Sequence, residues 1–161
     1  MENEPDGPWY YEQIDLGYNY RMTELQASLG LSQMNRLEQF IEKRHEVAKI
    51  YNDKLSELPI KLPFQEEFSY SAWHLYIIRL KTGATKSNHL ETFNKLRAAD
   101  IGVNLHYMPI YLQPYYKKMG FKPGLCPEAE NYYSQAISIP MYSRMRKEDI
   151  YKVCDVLREI L

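Results

Sequence analysis

The sequence predicts an α/β (α+β) fold, in which a long helix near the start of the chain is followed by a small sheet covered by helices. Three observations predict this fold. Apolar residues recur at helical spacing from Leu25 to Leu58, as on one face of an amphipathic helix. The segments 73–80 and 136–139 are rich in aromatic or β-branched residues, as strands are. Helical patterns alternate with these segments, although periodicity leaves the order and direction of the strands open.

The first third of the chain is expected to be an irregular lead-in followed by the long helix. Residues 1–22 contain proline and glycine and have no sustained period. Thr23 and Gln26 match a capping box, which predicts a helix over 23–58 with a candidate break near 30–32. A helix of about 50 Å is longer than a compact small domain can cover. We therefore expect part of it to pack on protein that this sequence does not contain.

The remaining residues, 59–161, are expected to form a small C-terminal α/β domain. Besides the strands at 73–80 and 136–139, the segment 103–107 is predicted to be a strand. Caps, prolines and apolar stripes predict the helices of this domain. In chain order they are expected to run from Ser87 or Asn88 to Ala99, over 114–119, over 128–135 and over 147–160.

Composition indicates a globular protein with no broad electrostatic footprint. The 161 residues are 45% hydrophobic, and 20 basic residues balance 21 acidic ones, so we expect no nucleic-acid partner. No apolar run approaches the roughly 20 residues of a membrane-spanning helix. Cys126 and Cys154 follow no secretory signal and are expected to be reduced. These features predict a cytoplasmic protein without a membrane partner.

Several kinds of catalytic site have no support in the sequence. The histidines are widely separated, and the two cysteines lack the close paired spacing of a structural zinc site, so no metal is expected. There is no nucleophile elbow and no glycine-rich phosphate loop. The lysines fall on charged faces of predicted helices, where a solvated amine is the default. No catalytic residue is therefore predicted within this chain.

Asn19 and Arg21 form the first candidate binding site. They precede a capped helix start, where a side-chain amide, a fixed cation and free backbone amides can together meet an anion such as phosphate. The simpler interpretation is that Asn19 adopts a turn conformation and Arg21 pairs with an acidic neighbour. Residue types alone favour the simpler interpretation, and spacing does not decide between them.

His106 and Tyr107 form the second candidate site. They close the predicted strand at 103–107, where an imidazole and a phenol can project into a cleft and bind a sugar hydroxyl or a phosphate. A lone histidine at a strand end is more often structural. Of the other histidines, His74 is expected to be packed within the first strand, and His45 and His89 are expected on the surface.

The run from Asp15 to Ala27, DLGYNYRMTELQA, resembles a signature of the DegT/DnrJ/EryC1/StrS family of sugar aminotransferases. The opening Trp9-Tyr10-Tyr11-Glu12 is similar to the branch that makes aminated precursors of pseudaminic acid, the UDP-4-amino-4,6-dideoxy-N-acetyl-L-altrosamine transaminases. Further similar segments cover nearly the whole chain. They are Pro8 to Glu12, Leu16 to Gly30, Arg36-Leu37, Arg44 to Tyr51, His74 to Tyr76 and Ser138 to Tyr142.

This resemblance implies a fold, a cofactor and an assembly. Family members resemble aspartate aminotransferase (fold type I), with a large domain that holds pyridoxal 5'-phosphate (PLP) as a Schiff base on a lysine, and a small C-terminal domain. They are homodimers with active sites between subunits. The resemblance implies that Asn19 reaches the PLP phosphate of the partner subunit, and that Arg21, His106 and Tyr107 lie near substrate or anion positions.

The resemblance also implies a reaction, which transfers an amino group from glutamate to a nucleotide-linked keto-sugar for surface polysaccharide or glycan synthesis. Only fourteen residues precede Asp15, so the chain is expected to be the C-terminal part of such an enzyme, without the PLP lysine, inactive alone and without bound PLP. The exposed helix predicts self-association into a dimer or larger oligomer. The alternative is a free-standing, non-catalytic module that binds a nucleotide-sugar or dimerises.

Overall fold

The computed structural model describes Glu12 and residues 15–18, 20–81 and 83–161. These residues belong to two compact units, Met1–Leu37 and Glu38–Leu161, each of which is described by itself. Among the described helices, none combines the length and the apolar character that crossing a bilayer requires.

The first unit contains helix α1, Glu24–Met34. It begins with the capping box that the sequence predicts. The Gln26 backbone N–H donates to Thr23 Oγ1 over 3.3 Å, and the Thr23 N–H donates to Gln26 Oε1 over 2.9 Å. No residue of α1 is buried within this chain. Local hydrogen bonding, rather than a core, therefore stabilises this helix in the unit described.

Helix α2 spans Leu37–Leu55, so the helical stretch is interrupted at Asn35 and Arg36. Gly30 led to the prediction of a break near 30–32, but those residues lie inside α1. A Cβ at Gly30 would meet no atom within 4 Å, so no close backbone contact in the described structure requires glycine there.

The second unit is built on a three-stranded antiparallel sheet. Its strands are β1 (Ile60–Lys61), β2 (Tyr76–Leu80) and β3 (Ala136–Ile139), in the order β1-β2-β3. Tyr76 pairs with Ile139, and Ile60 pairs with Leu80. β2 is shorter than the predicted strand at 73–80, and β1 was not predicted.

The predicted strand at 103–107 is not a strand. Only Asn104 pairs with the sheet, through an isolated antiparallel bridge to Ser138. The Asn104 N–H donates to the Ser138 carbonyl over 3.1 Å, and the Ser138 N–H donates to the Asn104 carbonyl over 2.8 Å. Pro109 and a 3-10 turn at Ile110–Leu112 follow. Because proline lacks an N–H, the segment cannot continue a ladder through that position.

Four more helices complete the second unit. They are α3 (His89–Ala98), α4 (Pro114–Lys118), α5 (Pro127–Tyr133) and α6 (Lys147–Ile160). Helices α2 and α6 contribute buried side chains to the same apolar cluster as the sheet. Fully buried members include Tyr51, Leu55, Tyr76, Ile78, Leu96, Ile137 and Leu157. The arrangement is a small antiparallel sheet with helices, which confirms the predicted α/β (α+β) class.

Candidate functional site

The candidate site begins at Ser138, a polar residue in the middle of β3. All four residues of β3 are buried, and Ser138 is only 4% exposed. Its backbone pairs with Ile77 of β2 and with Asn104 on the other side. Pairing on both sides holds Ser138 in place. A buried hydroxyl needs a hydrogen-bond partner, since an unsatisfied one costs free energy.

That partner is His106. The distance between His106 Nδ1 and Ser138 Oγ is 2.7 Å. Asn104, two residues earlier, pairs with Ser138 itself, so the backbone bridge carries the imidazole toward the serine hydroxyl. His106 is half-buried. Within the described residues, its Nε2 has no hydrogen-bond partner. This leaves one ring nitrogen available to a ligand.

Tyr107 lies directly beside the imidazole. The two ring centroids are 4.6 Å apart, and the rings are nearly perpendicular at 87°. The Tyr107 side chain is 72% exposed. The two predicted residues are consecutive in the sequence, and their rings are in contact, with a half-buried imidazole against an exposed phenol ring.

The chain around and after His106 is cationic. No aspartate or glutamate occurs between Asp100 and Glu128. The same stretch contains Lys117, Lys118 and Lys122, all of them exposed. The net positive charge of this segment favours anionic ligands such as phosphates over cationic ones.

A hydrogen-bonded cluster holds the loop that follows the site. The Tyr111 hydroxyl donates to Glu130 Oε1 over 2.5 Å, and the Gly124 N–H donates to the same oxygen over 2.6 Å. These two donors lower the pKa of Glu130. The Cys126 N–H donates to the Tyr111 oxygen over 3.2 Å. Gly124 has φ of +90°, in the region that favours glycine. The cluster connects α5 to the chain just beyond His106.

The other predicted pair is only partly described. Arg21 is exposed, two residues before the capped start of α1, and it belongs to the first unit. Asn19 lies outside the described residues. The predicted anion site of Asn19 and Arg21 therefore remains a prediction.

Three predictions about the remaining histidines are wrong. His45 and His89 were expected on the surface, but both are half-buried. Their Nε2 atoms lie 2.8 Å from the Ser71 carbonyl oxygen and 2.9 Å from the Ala136 carbonyl oxygen, respectively. His74 was expected to pack within a strand, but it is exposed and precedes β2. β2 begins only at Tyr76, and Trp73 adopts a left-handed conformation, with φ of +47°, which is not that of a strand.

All lysines of the chain are among the described residues, and every one of them is exposed. A lysine that acts as a nucleophile at neutral pH needs a desolvated amine or a neighbouring cation. In the described ranges, no group of three or more histidine, cysteine, aspartate or glutamate side chains is arranged to hold a metal ion.

Ser138 and Asn104 are residues of this site that the sequence does not predict. One signal was present, because Ser138 is the only polar residue in the run Ala-Ile-Ser-Ile of a predicted buried strand. A polar residue at such a position is expected to have a specific partner. Which partner it has depends on contacts across 32 residues of sequence.

Comparison with known proteins identifies the family of this chain. The model of the DegT/DnrJ/EryC1/StrS aminotransferase family matches residues 1–158. The chain belongs to this family. The family assignment agrees with the resemblance of the run from Asp15 to Ala27.

Two curated relatives illustrate the range of the family. Spore coat polysaccharide biosynthesis protein SpsC of Bacillus subtilis is 35% identical over 161 residues, which is 97% of this chain and 41% of SpsC. The UDP-4-amino-4,6-dideoxy-N-acetyl-beta-L-altrosamine transaminase of Campylobacter jejuni is 34% identical over 157 residues, 95% of this chain and 40% of the transaminase. The chain thus spans about two fifths of each relative, and the pseudaminic-acid branch of the family is supported.

Solved structures of the family share the fold. Spr1654 of Streptococcus pneumoniae, in its apo form, matches with a TM-score of 0.86 and 28% identity over 96% of this chain and 39% of its own. The same protein has also been solved in PLP and PMP forms. The match confirms that this chain has the fold of one part of such enzymes, as the resemblance to fold type I implied.

Proposed function

We propose that this chain is the C-terminal part of a PLP-dependent aminotransferase that transfers an amino group from glutamate to a nucleotide-linked keto-sugar. The product would enter polysaccharide or glycan synthesis in the cytoplasm. The observation that carries the proposal is the similarity, over 157 residues, to a transaminase whose name specifies a UDP-linked amino sugar. The segment from Ile101 to Pro127 has no acidic residue and three exposed lysines, and this net positive charge is consistent with the same substrate class, since a nucleotide-linked sugar carries phosphate groups.

The residues described here do not fit PLP by themselves. PLP would supply the carrier for the amino group, and it needs a lysine amine and a partner for its ring nitrogen. Every lysine of this chain is exposed, so none has the desolvated surroundings that the role requires. We infer that the lysine belongs to protein beyond this sequence and that this chain alone is inactive.

In this proposal, the chain contributes side chains that bind the substrate. His106 offers Nε2, and the exposed Tyr107 ring lies against it at 4.6 Å. Together they would contact a phosphate or a sugar hydroxyl. Arg21 would bind an anionic part of the substrate, and Asn19 would reach the PLP phosphate of a partner subunit in a homodimer.

The decisive experiment uses the product of the complete reading frame that encodes this chain. The purified protein, supplied with PLP, is assayed for amino transfer from glutamate to UDP-linked keto-sugars. We expect transfer to a nucleotide-linked keto-sugar and none to the free sugar. His106→Ala should weaken sugar use, whereas Lys147→Ala, at the exposed start of α6, should not. Failure of the wild-type protein to aminate any nucleotide-linked sugar would contradict the proposal.

A direct test of the inference that this chain lacks the PLP lysine uses this chain alone. It is incubated with PLP, treated with borohydride and digested, and the peptides are examined by mass spectrometry. We expect no specific modified lysine. A single lysine modified in full would show that the chain carries its own PLP site.

One observation favours a second function. The unit Glu38–Leu161 has a contiguous buried core of its own, so a free-standing module is physically reasonable. Such a module would bind a nucleotide-sugar or dimerise without catalysis. Calorimetry with UDP-sugars separates the two functions. Sugar-dependent binding by this chain alone favours the module, whereas its absence favours a site that needs complete subunits.

A further inference from the structure

We propose that Ser138 is a positioning residue that holds His106 in one tautomer and one orientation, so that its Nε2–H faces the substrate. This inference rests on the proposed function, in which His106 binds the nucleotide-sugar. It adds a named role for a buried residue that would not itself touch the substrate.

The geometry gives Ser138 the rigidity that positioning requires. Its side chain is 4% exposed, and its backbone pairs with Ile77 on one side and Asn104 on the other. The bridge to Asn104 has two short hydrogen bonds, of 2.8 and 3.1 Å. The hydroxyl therefore projects from a fixed point, at 2.7 Å from His106 Nδ1.

The direction of this hydrogen bond follows from the needs of the two partners. Within the described residues, the Ser138 hydroxyl has no hydrogen-bond partner besides His106 Nδ1. If the imidazole donated, the hydroxyl proton would stay buried without an acceptor, which is costly. If the hydroxyl donates to Nδ1, its proton is satisfied. Neutral His106 must then carry its proton on Nε2, because one ring nitrogen of a neutral imidazole donates and the other accepts.

The tautomer determines which groups His106 can bind. An Nε2–H donor suits the oxygen atoms of a phosphate or a sugar hydroxyl. The opposite tautomer would present a lone pair at the same position, which would repel a phosphate oxygen. A side chain that fixes the tautomer through the other ring nitrogen therefore affects specificity without contacting the ligand.

The first experiment measures the tautomer directly in this chain. Nitrogen-15 spectra of the histidine rings are recorded at a pH about two units above the ordinary pKa of histidine, where imidazole is neutral. We expect wild-type His106 to be a single tautomer with its proton on Nε2. A wild-type His106 protonated on Nδ1 would overturn the proposal without any variant.

Two variants then test the role of the hydroxyl. In Ser138→Ala, the His106 ring shifts should move toward those of two exchanging tautomers. Ser138→Thr retains the hydroxyl and should keep the wild-type pattern. His45 and His89 are internal controls, because backbone carbonyls fix their Nε2–H. Unchanged His106 shifts in Ser138→Ala would overturn the proposal. Equal changes in all three histidines, or in both variants, would indicate a packing effect and would also overturn it.

The second experiment measures the consequence in the product of the complete reading frame. Because the lost interaction concerns binding, Ser138→Ala should raise KM for the nucleotide-sugar by about tenfold and change kcat by less than about twofold. Ser138→Thr should restore KM. A normal KM would overturn the positioning role. If the wild-type protein uses no nucleotide-sugar, the proposed function fails, and the tautomer measurement still decides the role of Ser138.

Discussion

Arg44 and Met141 are 97 residues apart in the sequence, yet Arg44 Nη1 donates a hydrogen bond to the Met141 carbonyl oxygen over 3.1 Å. The same nitrogen lies 2.8 Å from the carbonyl oxygen of Trp73 and 3.1 Å from that of His74. One guanidinium on α2 thus connects the chain that enters β2 with the chain that leaves β3. Trp73 has a left-handed backbone, with φ of +47°, which non-glycine residues adopt at a cost. Arg44 offsets this cost by donating hydrogen bonds to the carbonyl oxygens of Trp73 and His74.

The first prediction concerns this connection. Arg44→Ala should lower the free energy of unfolding by about 2–3 kcal/mol, because hydrogen bonds to a charged donor are lost and carbonyls lose their partner. Urea unfolding followed by circular dichroism measures the change. Arg97→Ala, at an exposed position in α3, is the matched control and should change it by less than about 0.5 kcal/mol. A similar small effect of Arg44→Ala would contradict this account.

The second prediction is a stabilising substitution. Thr92 is fully buried in α3, and its hydroxyl has no hydrogen-bond partner in the described structure. Thr92→Val replaces the hydroxyl with a methyl group of similar size, so we expect a gain of about 1 kcal/mol in the free energy of unfolding. Thr85→Val is the matched control. It removes a hydroxyl that donates to the Ser87 carbonyl over 2.8 Å and should destabilise. If Thr92→Val also destabilises, the hydroxyl makes a stabilising hydrogen bond, and the prediction is wrong.

The third prediction is a loss of stability at alkaline pH. Burial raises the pKa of the Cys154 thiol from 9.0 to about 11. Between these values the unfolded state has lost the proton and the folded state has kept it, so the free energy of unfolding falls as pH rises from about 9 to about 11. Burial also raises the pKa of Tyr51 and of Tyr76, which adds to the loss at the upper end of this range.

Variants separate the contribution of the thiol. Urea unfolding is measured at several pH values from 8, where the thiol is protonated in both the folded and the unfolded state, to 11, where the folded state begins to lose the proton. Cys154→Ala should show a shallower fall than wild type, whereas Cys126→Ala, at an exposed position, should keep the wild-type fall. An identical pH dependence in Cys154→Ala and wild type would show that the thiol makes no contribution.

The fourth prediction concerns the loop beyond His106. Glu130→Gln removes the charged acceptor shared by Tyr111 and Gly124, so the Gly124 amide should exchange with solvent about tenfold faster. Hydrogen exchange measured by NMR tests this. Glu128→Gln, on the same helix but exposed, is the control and should leave that amide unchanged.

The loop should also respond to acid. The pKa of Glu130 lies below its ordinary value because Tyr111 and Gly124 donate to the carboxylate. The stabilisation is therefore present above the ordinary pKa and is lost as pH falls through the lowered one. In acid, the Gly124 amide of wild type should approach that of Glu130→Gln. Exchange in wild type that stays slow at low pH, after correction for intrinsic rates, would contradict the assignment.

The sequence predicted elements best where local signals agreed. Helix α6 has the bounds that were expected, 147–160, because a strong apolar stripe follows acidic residues at its start. Strand β3 was also predicted at its observed bounds. At 103–107 the residue types favour a strand, but pairing is limited to Asn104. Tertiary contacts decide such positions, and propensity alone does not.

The candidate site was predictable only in part. His106 and Tyr107 could be selected as an imidazole and a phenol at the end of an apolar segment, and the structure brings their rings together. Ser138 could not be paired with His106 from sequence, because no local period relates two segments 32 residues apart. For the same reason, the contacts of Arg44 with distant carbonyls were not predicted.

The hydrogen bond between Ser138 and His106 limits which amino acids can replace Ser138. Its neighbours Ile137 and Ile139 are buried and make only apolar packing contacts through their side chains, so other aliphatic residues of similar volume should be accepted there. At Ser138 the side chain must be small enough for the centre of the sheet and must also carry a hydroxyl for His106. Few amino acids meet both conditions. In a library that randomises β3, selection for folding alone should admit alanine at this position. Under the proposed function, selection for amination at a low concentration of nucleotide-sugar should favour serine and threonine over alanine.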